Sequence, residues 1–277
     1  MVRIISILVG LFFTVALAWS LIVGGINFAS EGLPRTVEKD FVAHPEPLHL
    51  ASDGMFGRFD KQQLQRGLKV YQEVCQACHS LRLVSFRDLK ALGYNDDEVK
   101  AIAKTYQVPA YNAATGEVAS KPGLPTDRFP PVPYAGQGVP PDLSLITKAR
   151  HGGAAYIHAL LTGYTDQAGY KNHDGEELLK KYPEAKTPDG LYFNPYFANL
   201  NIAMPAPITA EGQVTYSDGT KATVEQMSKD VSAFLVWTAE PKLEKRNQTG
   251  WPVILFLLFA TVLAYMSYRN VWADKKH

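Results

Sequence analysis

The chain has 277 residues, of which 46% are hydrophobic and 20% are charged, so it is neither wholly disordered nor wholly membrane-embedded. Its 28 basic and 27 acidic residues give a net charge of +1. That balance argues against a nucleic-acid-binding protein, which usually carries a basic surplus. The two cysteines, Cys75 and Cys78, are too few for a disulfide scaffold.

The chain begins with an apolar run, Ile4–Ala29, that contains no charged side chain. As a helix this run would extend about 39 Å, more than the roughly 30 Å of a bilayer's hydrocarbon core. Two interpretations of residues 1–30 are open. The length favours an uncleaved membrane anchor, whereas Ala16-Leu17-Ala18 is also compatible with a secretory signal and its cleavage site. Either segment sends the following residues across a membrane.

Residues 31–245 are predicted to form an exported domain made mainly of helices. Asp60 is the predicted N-cap of the first helix, and shorter helices are predicted to begin behind Ser85 and Asn95. Apolar residues follow Asp60 at helical spacing and mark the buried face of that first helix: Leu64, Leu68, Tyr71, Val74 and Cys78.

Long irregular segments separate the later elements of this domain. Seven prolines between residues 122 and 141 predict a loop, and Gly, Pro and Asn make residues 164–207 mostly loop as well. A helix is predicted over Ala154–Thr162, and a short β-hairpin over residues 211–222, where Asp and Gly form the turn. The last helix of the domain is predicted to start behind Thr223. The fold class is therefore mainly α, with long loops and a short β-hairpin.

A second apolar run, Trp251–Tyr268, predicts a transmembrane helix over residues 250–270. Basic residues follow the apolar run. Arg269 lies at the end of the predicted helix, and Lys275 and Lys276 lie in the predicted cytoplasmic tail, residues 271–277. Together with Arg3, they place the domain between the two runs on the non-cytoplasmic side by the positive-inside rule. Without the tails, 24 basic and 26 acidic residues remain, so this domain is weakly acidic. A buried C-terminal core helix is the alternative interpretation of the run.

The two cysteines belong to the sequence Cys75-Gln76-Ala77-Cys78-His79, a C-x-x-C-H arrangement that is typical of one covalently attached c-type haem. Two thiols at this spacing on a helical turn can reach the two vinyl groups of a porphyrin, and the adjacent imidazole can bind the iron. A thioredoxin-like dithiol requires a βαβ context that is absent before Cys75. A structural zinc site requires four ligands, and the chain has no second cysteine pair.

The sixth iron ligand would come from a methionine or a histidine elsewhere in the chain. Met204 is the leading candidate because Pro205 and Pro207 stiffen its loop. Met55, in a Gly-rich turn, is an alternative, whereas Met227 has the spacing of a helix core residue. The histidines also remain open: His44, His49, His151, His158 and His173. Methionine ligation raises the reduction potential relative to bis-histidine ligation, and six-coordinate iron favours electron transfer over oxygen chemistry.

Further short motifs follow one another between residues 54 and 270. They are Gly57-Arg58-Phe59-Asp60, Gln63-Leu64-Gln65-Arg66-Gly67, Val70-Tyr71-Gln72-Glu73-Val74-Cys75 through His79-Ser80, Pro140-Pro141-Asp142-Leu143-Ser144, Lys148-Ala149-Arg150, Leu161-Thr162-Gly163-Tyr164, Ile202-Ala203-Met204-Pro205 and Val236-Trp237-Thr238-Ala239-Glu240-Pro241. In this order and spacing the chain resembles the cytochrome c1 family, the haem-bearing subunits of ubiquinol–cytochrome c reductase (cytochrome bc1) complexes.

The resemblance implies a cytochrome c-like domain in which both cysteines form thioether links and His79 and Met204 are the axial ligands. It also implies that Arg150 lies near a haem propionate, which a guanidinium can bind through two hydrogen bonds, and that Tyr156 is a further polar contact. A solvated cation at Arg150 and a packing role for Tyr156 stay open as alternatives. Prolines 140 and 141 would wall the haem edge. The extra cysteine pair of some bacterial members is absent.

The resemblance implies an electron carrier that receives electrons from a Rieske iron–sulfur protein and passes them to a soluble or membrane-bound cytochrome c. Cytochrome b, the Rieske protein and the lipid bilayer are the implied stable partners, and catalysis belongs to the whole reductase rather than to the isolated chain. The apolar leader is typical of a bacterium, so the expected location is the inner membrane, with the haem domain on the periplasmic side.

Three other functions remain as alternatives at this stage. They are a membrane-anchored cytochrome c that serves a terminal oxidase, a haem peroxidase, and a haem-free thiol oxidoreductase. Two groups of acidic residues are candidates for steering a basic redox partner: Asp96, Asp97 and Glu98, and Asp174, Glu176 and Glu177.

Overall fold

The computed structural model describes residues 2–32, 35–111, 116–134, 136 and 138–275. Its α-helices are α1 (Val2–Glu31), α2 (Val37–Phe41), α3 (Lys61–Val70), α4 (Asp96–Lys104), α5 (Ile146–Ala149), α6 (Gly153–Thr162), α7 (Leu178–Lys181), α8 (Val224–Ala239) and α9 (Leu243–Trp272). A π-helical turn spans Tyr71–Cys75, and 3₁₀ helices span Phe86–Leu92 and Pro183–Ala185. The strands are β1 (Gln107–Tyr111), β2 (Val118–Pro122), β3 (Tyr192–Phe193) and β4 (Asn201–Ile202).

Helices α1 and α9 are both long and apolar enough to cross a membrane. Their apolar stretches are not buried against the rest of the described structure. Helix α9 begins at Leu243, well before the apolar run, so the span and its polar N-terminal turns form one continuous helix. Lys276 of the predicted basic tail lies outside the described residues.

The core of the domain is built on the packing of α3 against α8. A Cβ on Gly67 would lie 2.2 Å from the backbone oxygen of Asp230 and 2.5 Å from the Cβ of Phe234, so only glycine permits this approach. Leu68 and Met227 are fully buried in the same cluster. Because the C-x-x-C-H segment follows α3 directly, this contact fixes where that segment starts.

A buried ion pair holds the same two helices together. Arg66 donates from Nε to Asp230 Oδ2 at 2.9 Å and from Nη1 to Asp218 Oδ2 at 2.7 Å. Gln63 and Gln226 also donate to Asp230 Oδ1, so the fully buried carboxylate is satisfied by several donors.

The mainly α class with long loops and a short hairpin is confirmed, but the hairpin lies elsewhere than predicted. Strands β1 and β2 pair antiparallel, whereas residues 211–222 form no strand. Val214 and Tyr216 are buried and their neighbours 213, 215 and 217 are exposed, which is the alternation of a half-buried strand, yet the segment pairs with no other strand among the described residues. The segment is closed by a single hydrogen bond from Gly212 N–H to the carbonyl of Ala222, at 2.7 Å.

A smaller apolar cluster attaches the N-terminal part of the domain to the loops that follow α6. It consists of Phe41, Leu178, Phe193 and Leu200. Lys181 lies beside it, 2.8 Å from Asp40 and 2.6 Å from Glu176. Helix α2, which the sequence analysis missed, therefore anchors the chain after α1 to the segment that leads to Met204.

Candidate functional site

The C-x-x-C-H segment leaves α3 through a wide turn rather than continuing the predicted helix. Tyr71–Cys75 is π-helical, with Gln76 N–H donating to the carbonyl of Tyr71 at 2.8 Å, and His79 N–H donates to the carbonyl of Cys75 at 2.9 Å. Such π-turns are common at functional sites. Both cysteines are free thiols, Cys75 half-buried and Cys78 exposed.

The Cys75 thiol has the wrong acidity for a redox dithiol. Burial, and then the neighbouring Cys78, raises the pKa of Cys75 to about 12. Reactive cysteines in thiol oxidoreductases instead have lowered pKa values because the thiolate is the nucleophile. Within the described part of the chain, no three His, Cys, Asp or Glu side chains converge as metal ligands.

The imidazole of His79 is held by the proline-rich loop. Its Nδ1 lies 2.8 Å from the carbonyl oxygen of Pro141, and the hydroxyl of Tyr71 donates to the backbone carbonyl of His79 at 2.9 Å. A neutral ring that donates from Nδ1 leaves Nε2 unprotonated, as a metal ligand requires. Burial lowers the pKa of His79, which favours this neutral form.

Residues 141–144 run along residues 79–83 and fix the orientation of the histidine. Leu143 N–H donates to the carbonyl of Ser80 at 2.9 Å, and Arg82 N–H donates to Asp142 Oδ2 at 2.8 Å. Leu83 N–H donates to the hydroxyl of Ser144 at 3.1 Å. The sequence analysis included Asp142 only as part of a motif; its role depends on the path of a loop, which no local pattern predicts.

Met204 lies half-buried in a loop that is braced from both sides. The hydroxyl of Tyr164 donates to the carbonyl of Met204 at 2.9 Å. Upstream, the buried Leu200 adopts a left-handed conformation with φ of 64°, which is unusual for a non-glycine residue and is held in place by the surrounding structure. Tyr164 is a second residue whose role the sequence analysis missed.

The loop that holds His79 also approaches the loop of Met204. A Cβ on Gly138 would lie 4.0 Å from the Cβ of Ala203, the residue before Met204. Three positions later, Pro141 accepts the hydrogen bond from His79. The residues between Gly138 and Pro141 therefore connect the surroundings of the two predicted axial ligands.

Arg150 and Tyr156 belong to the same neighbourhood. Tyr156 is half-buried, and its burial raises its pKa while the nearby positive charge of Arg150 works against that rise. Burial, and after it the charge of Tyr156, raises the pKa of Tyr164. Arg150 is exposed, and within the described ranges it has no acidic partner. Its Nη1 donates to the carbonyl of Ala149 at 3.1 Å, and the positive charge is left without a carboxylate among these residues.

The alternative ligands each have surroundings of their own. Met55 lines a cleft with Trp251 at the start of α9, and Met227 is fully buried in the core, as predicted. His158 lies 2.8 Å from Glu225, and His173 lies 3.3 Å from Asp174. The remaining candidates are exposed: His44, His49 and His151.

Four of the six predicted acidic residues pair with neighbouring lysines. Asp96 pairs with Lys90 and Asp97 with Lys100, and Glu98 accepts a hydrogen bond from the backbone N–H of Asn95. In the second group, Glu176 pairs with Lys181 and Glu177 with Lys180. Both patches are therefore less negative than the sequence indicated, and steering by them stays a prediction.

These residues fit a covalently attached haem c. The site combines two free thiols on one turn, an imidazole whose Nδ1 is already hydrogen-bonded, a braced thioether and a guanidinium that has no acidic partner in the described ranges. The thiols suit the vinyl groups, the imidazole and thioether suit the two axial positions, and the guanidinium suits a propionate.

Comparisons with known proteins agree with this chemistry. A sequence model described as the Cytochrome C1 family matches residues 50–275. Cytochrome c1 of Rhodospirillum rubrum is 38% identical over 279 residues, covering 95% of this chain and 97% of that protein. A mitochondrial cytochrome c1 heme protein of Arabidopsis thaliana is 41% identical, with 81% and 71% covered. A cytochrome b/c1 of Bradyrhizobium diazoefficiens is 44% identical over 80% of this chain but only 34% of that longer protein.

Proposed function

Because the chain belongs to the cytochrome c1 family, as its motifs predict, we propose that it carries single electrons from a Rieske iron–sulfur protein to a mobile cytochrome c. Members of this family are the haem-carrying electron carriers of the bc1 complex, and the chain carries one covalently attached haem c. When bound, this haem supplies a one-electron iron couple. The observation that carries the proposal is the hydrogen bond between His79 and Pro141, which orients an imidazole next to two free thiols.

In this proposal Cys75 and Cys78 form the thioether links, and His79 and Met204 bind the iron. Support comes from the neutral, pre-oriented imidazole and from the loop that links its surroundings to those of Met204. Two axial protein ligands leave no open position for oxygen or peroxide, which separates the chain from haem peroxidases.

Arg150 and Tyr156 are proposed to contact a haem propionate. The guanidinium has no acidic partner in the described part of the chain, and its positive charge lowers the pKa of the half-buried Tyr156 against the effect of burial. A propionate carboxylate would satisfy the guanidinium and accept a hydrogen bond from the tyrosine hydroxyl. Arg150→Gln should therefore alter the reduction potential while the thioether attachment is retained.

Cytochrome b and the lipid bilayer are the proposed stable surroundings of the chain. The cytochrome b/c1 relative names both proteins in a single chain, and α1 and α9 have the length and apolarity of membrane spans. We propose that residues 1–30 are an anchor or signal, residues 31–245 an exported haem domain, residues 250–270 the transmembrane helix and residues 271–277 a cytoplasmic tail.

The proposed orientation puts the haem domain on the periplasmic side of a bacterial inner membrane. Arg3, Arg269 and Lys275 support it by the positive-inside rule. The domain-side flank of α9 has its own cations at Lys242, Lys245 and Arg246, so a direct test is needed. A C-terminal green fluorescent protein fusion should fluoresce, and protease added to spheroplasts should digest the haem domain; protection of that domain would contradict the orientation.

Purification of the tagged chain from its native membrane tests the function. The reduced protein should give the spectrum and pyridine haemochrome of one haem c, and cytochrome b and a Rieske protein should co-purify together with quinol–cytochrome c reductase activity. Co-purification with a terminal oxidase instead would indicate the other membrane-anchored cytochrome. Colourless protein would contradict the whole proposal.

A further inference from the structure

A cleft of about 190 Å³ lies between residues 55–58 and the first turns of α9. We call it the loop–helix cleft. Its helix side is formed by Glu244, Asn247, Gln248 and Trp251, which recur at helical spacing along one face. Because Trp251 begins the apolar run of α9, the cleft lies where that helix would enter a bilayer.

The loop side of the cleft presents large apolar side chains outward. Phe56 stacks on Trp251, with ring centroids 5.5 Å apart and an interplanar angle of 12°. Phe56 is nevertheless 79% exposed and Met55 is 58% exposed. Stacked aromatic side chains at the end of a membrane span are suited to the interface between headgroups and acyl chains.

The loop is fixed in this position rather than free to fold away. Phe59 N–H donates to Glu244 Oε1 at 2.7 Å, and Arg58 N–H donates to the carbonyl of Ala51 at 2.8 Å. A Cβ on Gly57 would lie 2.1 Å from the carbonyl oxygen of Ser52, so the turn requires glycine. The apolar side chains are thus held beside α9 by backbone contacts.

The polar rim of the cleft suits an anion. Arg58 lines the cleft, is exposed, and has no acidic partner within the described residues. The one carboxylate in the rim, Glu244, already accepts the Phe59 N–H. The side-chain amides of Asn247 and Gln248 add neutral donors next to the guanidinium.

We propose that the loop–helix cleft binds an anionic phospholipid, with Arg58 on the phosphate and Met55 and Phe56 against the glycerol and upper acyl chains. A guanidinium binds phosphate through paired hydrogen bonds, and the adjoining apolar rings match the lipid just below its headgroup. The inference rests on the proposal that α9 spans the membrane.

Lipid retention by the intact complex tests whether the positive charge of Arg58 binds the lipid. The haem-loaded complex is purified in nanodiscs of phosphatidylcholine that contain a minor fraction of phosphatidylglycerol, and bound lipids are counted by native mass spectrometry. Arg58→Gln should lower phosphatidylglycerol retention about fivefold, the effect of one cation near an anionic lipid, and Arg58→Lys should restore most of it. Lys221→Gln removes an exposed cation beyond the far end of α8 and should change nothing. Equal retention by Arg58→Gln and the wild type would overturn the proposal.

A photo-crosslink identifies the occupant directly and separates this inference from the membrane proposal. Benzoylphenylalanine at Phe56 should crosslink to phospholipid, and the same residue at Leu257, within the apolar run, should also crosslink to lipid. Crosslinks from position 56 to a polypeptide would show that another subunit fills the cleft and would overturn the lipid assignment alone. Absence of lipid crosslinks at both positions would overturn the transmembrane assignment of α9 as well.

Discussion

The contact between α3 and α8 gives the sharpest test of how the fold positions the haem-binding segment. In Gly67→Ala the added Cβ would meet the backbone oxygen of Asp230 at 2.2 Å, whereas ordinary contacts begin near 3.4 Å. The two helices would have to separate by about 1 Å locally. That movement also stretches the 2.9 Å bond between Arg66 and Asp230.

The expected loss follows from two opposing effects. Overpacking a core usually costs about 1–3 kcal/mol, and weakening a buried ion pair adds to this cost. About 1 kcal/mol of this cost is offset because alanine has a higher helix propensity than glycine. We therefore expect Gly67→Ala to lower the free energy of unfolding by about 2 kcal/mol or more.

Urea unfolding of the purified full-length chain in detergent, followed by circular dichroism in the haem Soret band, measures this loss. Gly250→Ala is the matched control, since Gly250 also lies inside a helix but has no atom within 4 Å of its would-be Cβ. Gly250→Ala should be neutral or slightly stabilising. A Gly67→Ala variant as stable as the wild type would refute the close-contact argument.

Two further predictions concern carboxylates. Burial raises the pKa of Asp142, but hydrogen bonds from Arg82 and Ser144 outweigh this effect and hold the pKa below its usual value. The folded protein therefore gains stability from this carboxylate at pH values above the ordinary carboxyl pKa. That stability is lost as the pH falls through the lowered pKa. Asp142→Asn should cost about 1–2 kcal/mol at neutral pH and flatten the acid limb of unfolding measured over a pH series, and an unchanged limb would contradict this role. Asp230→Ala should lower the free energy of unfolding by about 3–5 kcal/mol because it leaves Arg66 buried without its main partner. Asp218→Ala should lower it less in the same urea assay, since the Asp218 side chain is more exposed. Equal losses in the two variants would contradict the buried position of Asp230.

The helices of the domain were predictable because their signals are local. Asp60 caps α3 through hydrogen bonds from the backbone N–H groups of Gln62 and Gln63, and Ser85 opens its helix with a capping box. Apolar spacing predicted α8 from Thr223 onward, and the two apolar runs predicted the helices α1 and α9.

The strands and turns were less predictable, since tertiary contacts override local preference there. The Asp–Gly signal at residues 218–219 did mark a turn, but the flanking residues share one backbone hydrogen bond, from Gly212 to Ala222, and form no strand pair. The strand β1 contains Pro109 and follows α4 after two intervening residues, so it gave no strand signal. The π-turn before Cys75 also has no signature in the spacing of apolar residues.

The C-x-x-C-H residues of the site were found from their spacing alone, but the groups that hold them were not. Pro141 reaches His79 across 62 positions in the chain, and Tyr164 reaches Met204 across 40. Such contacts are set by the path of long loops. The sequence therefore indicated which side chains would bind the haem, and the structure shows what orients them.

The near-infrared charge-transfer band of the oxidised protein tests the central claim, that a methionine thioether completes the coordination of the haem iron. We expect the band in the wild type and in Met55→Leu, and its loss in Met204→Leu with the thioether-linked haem retained. A band that persists in Met204→Leu, or that is absent from the wild type, would contradict the account.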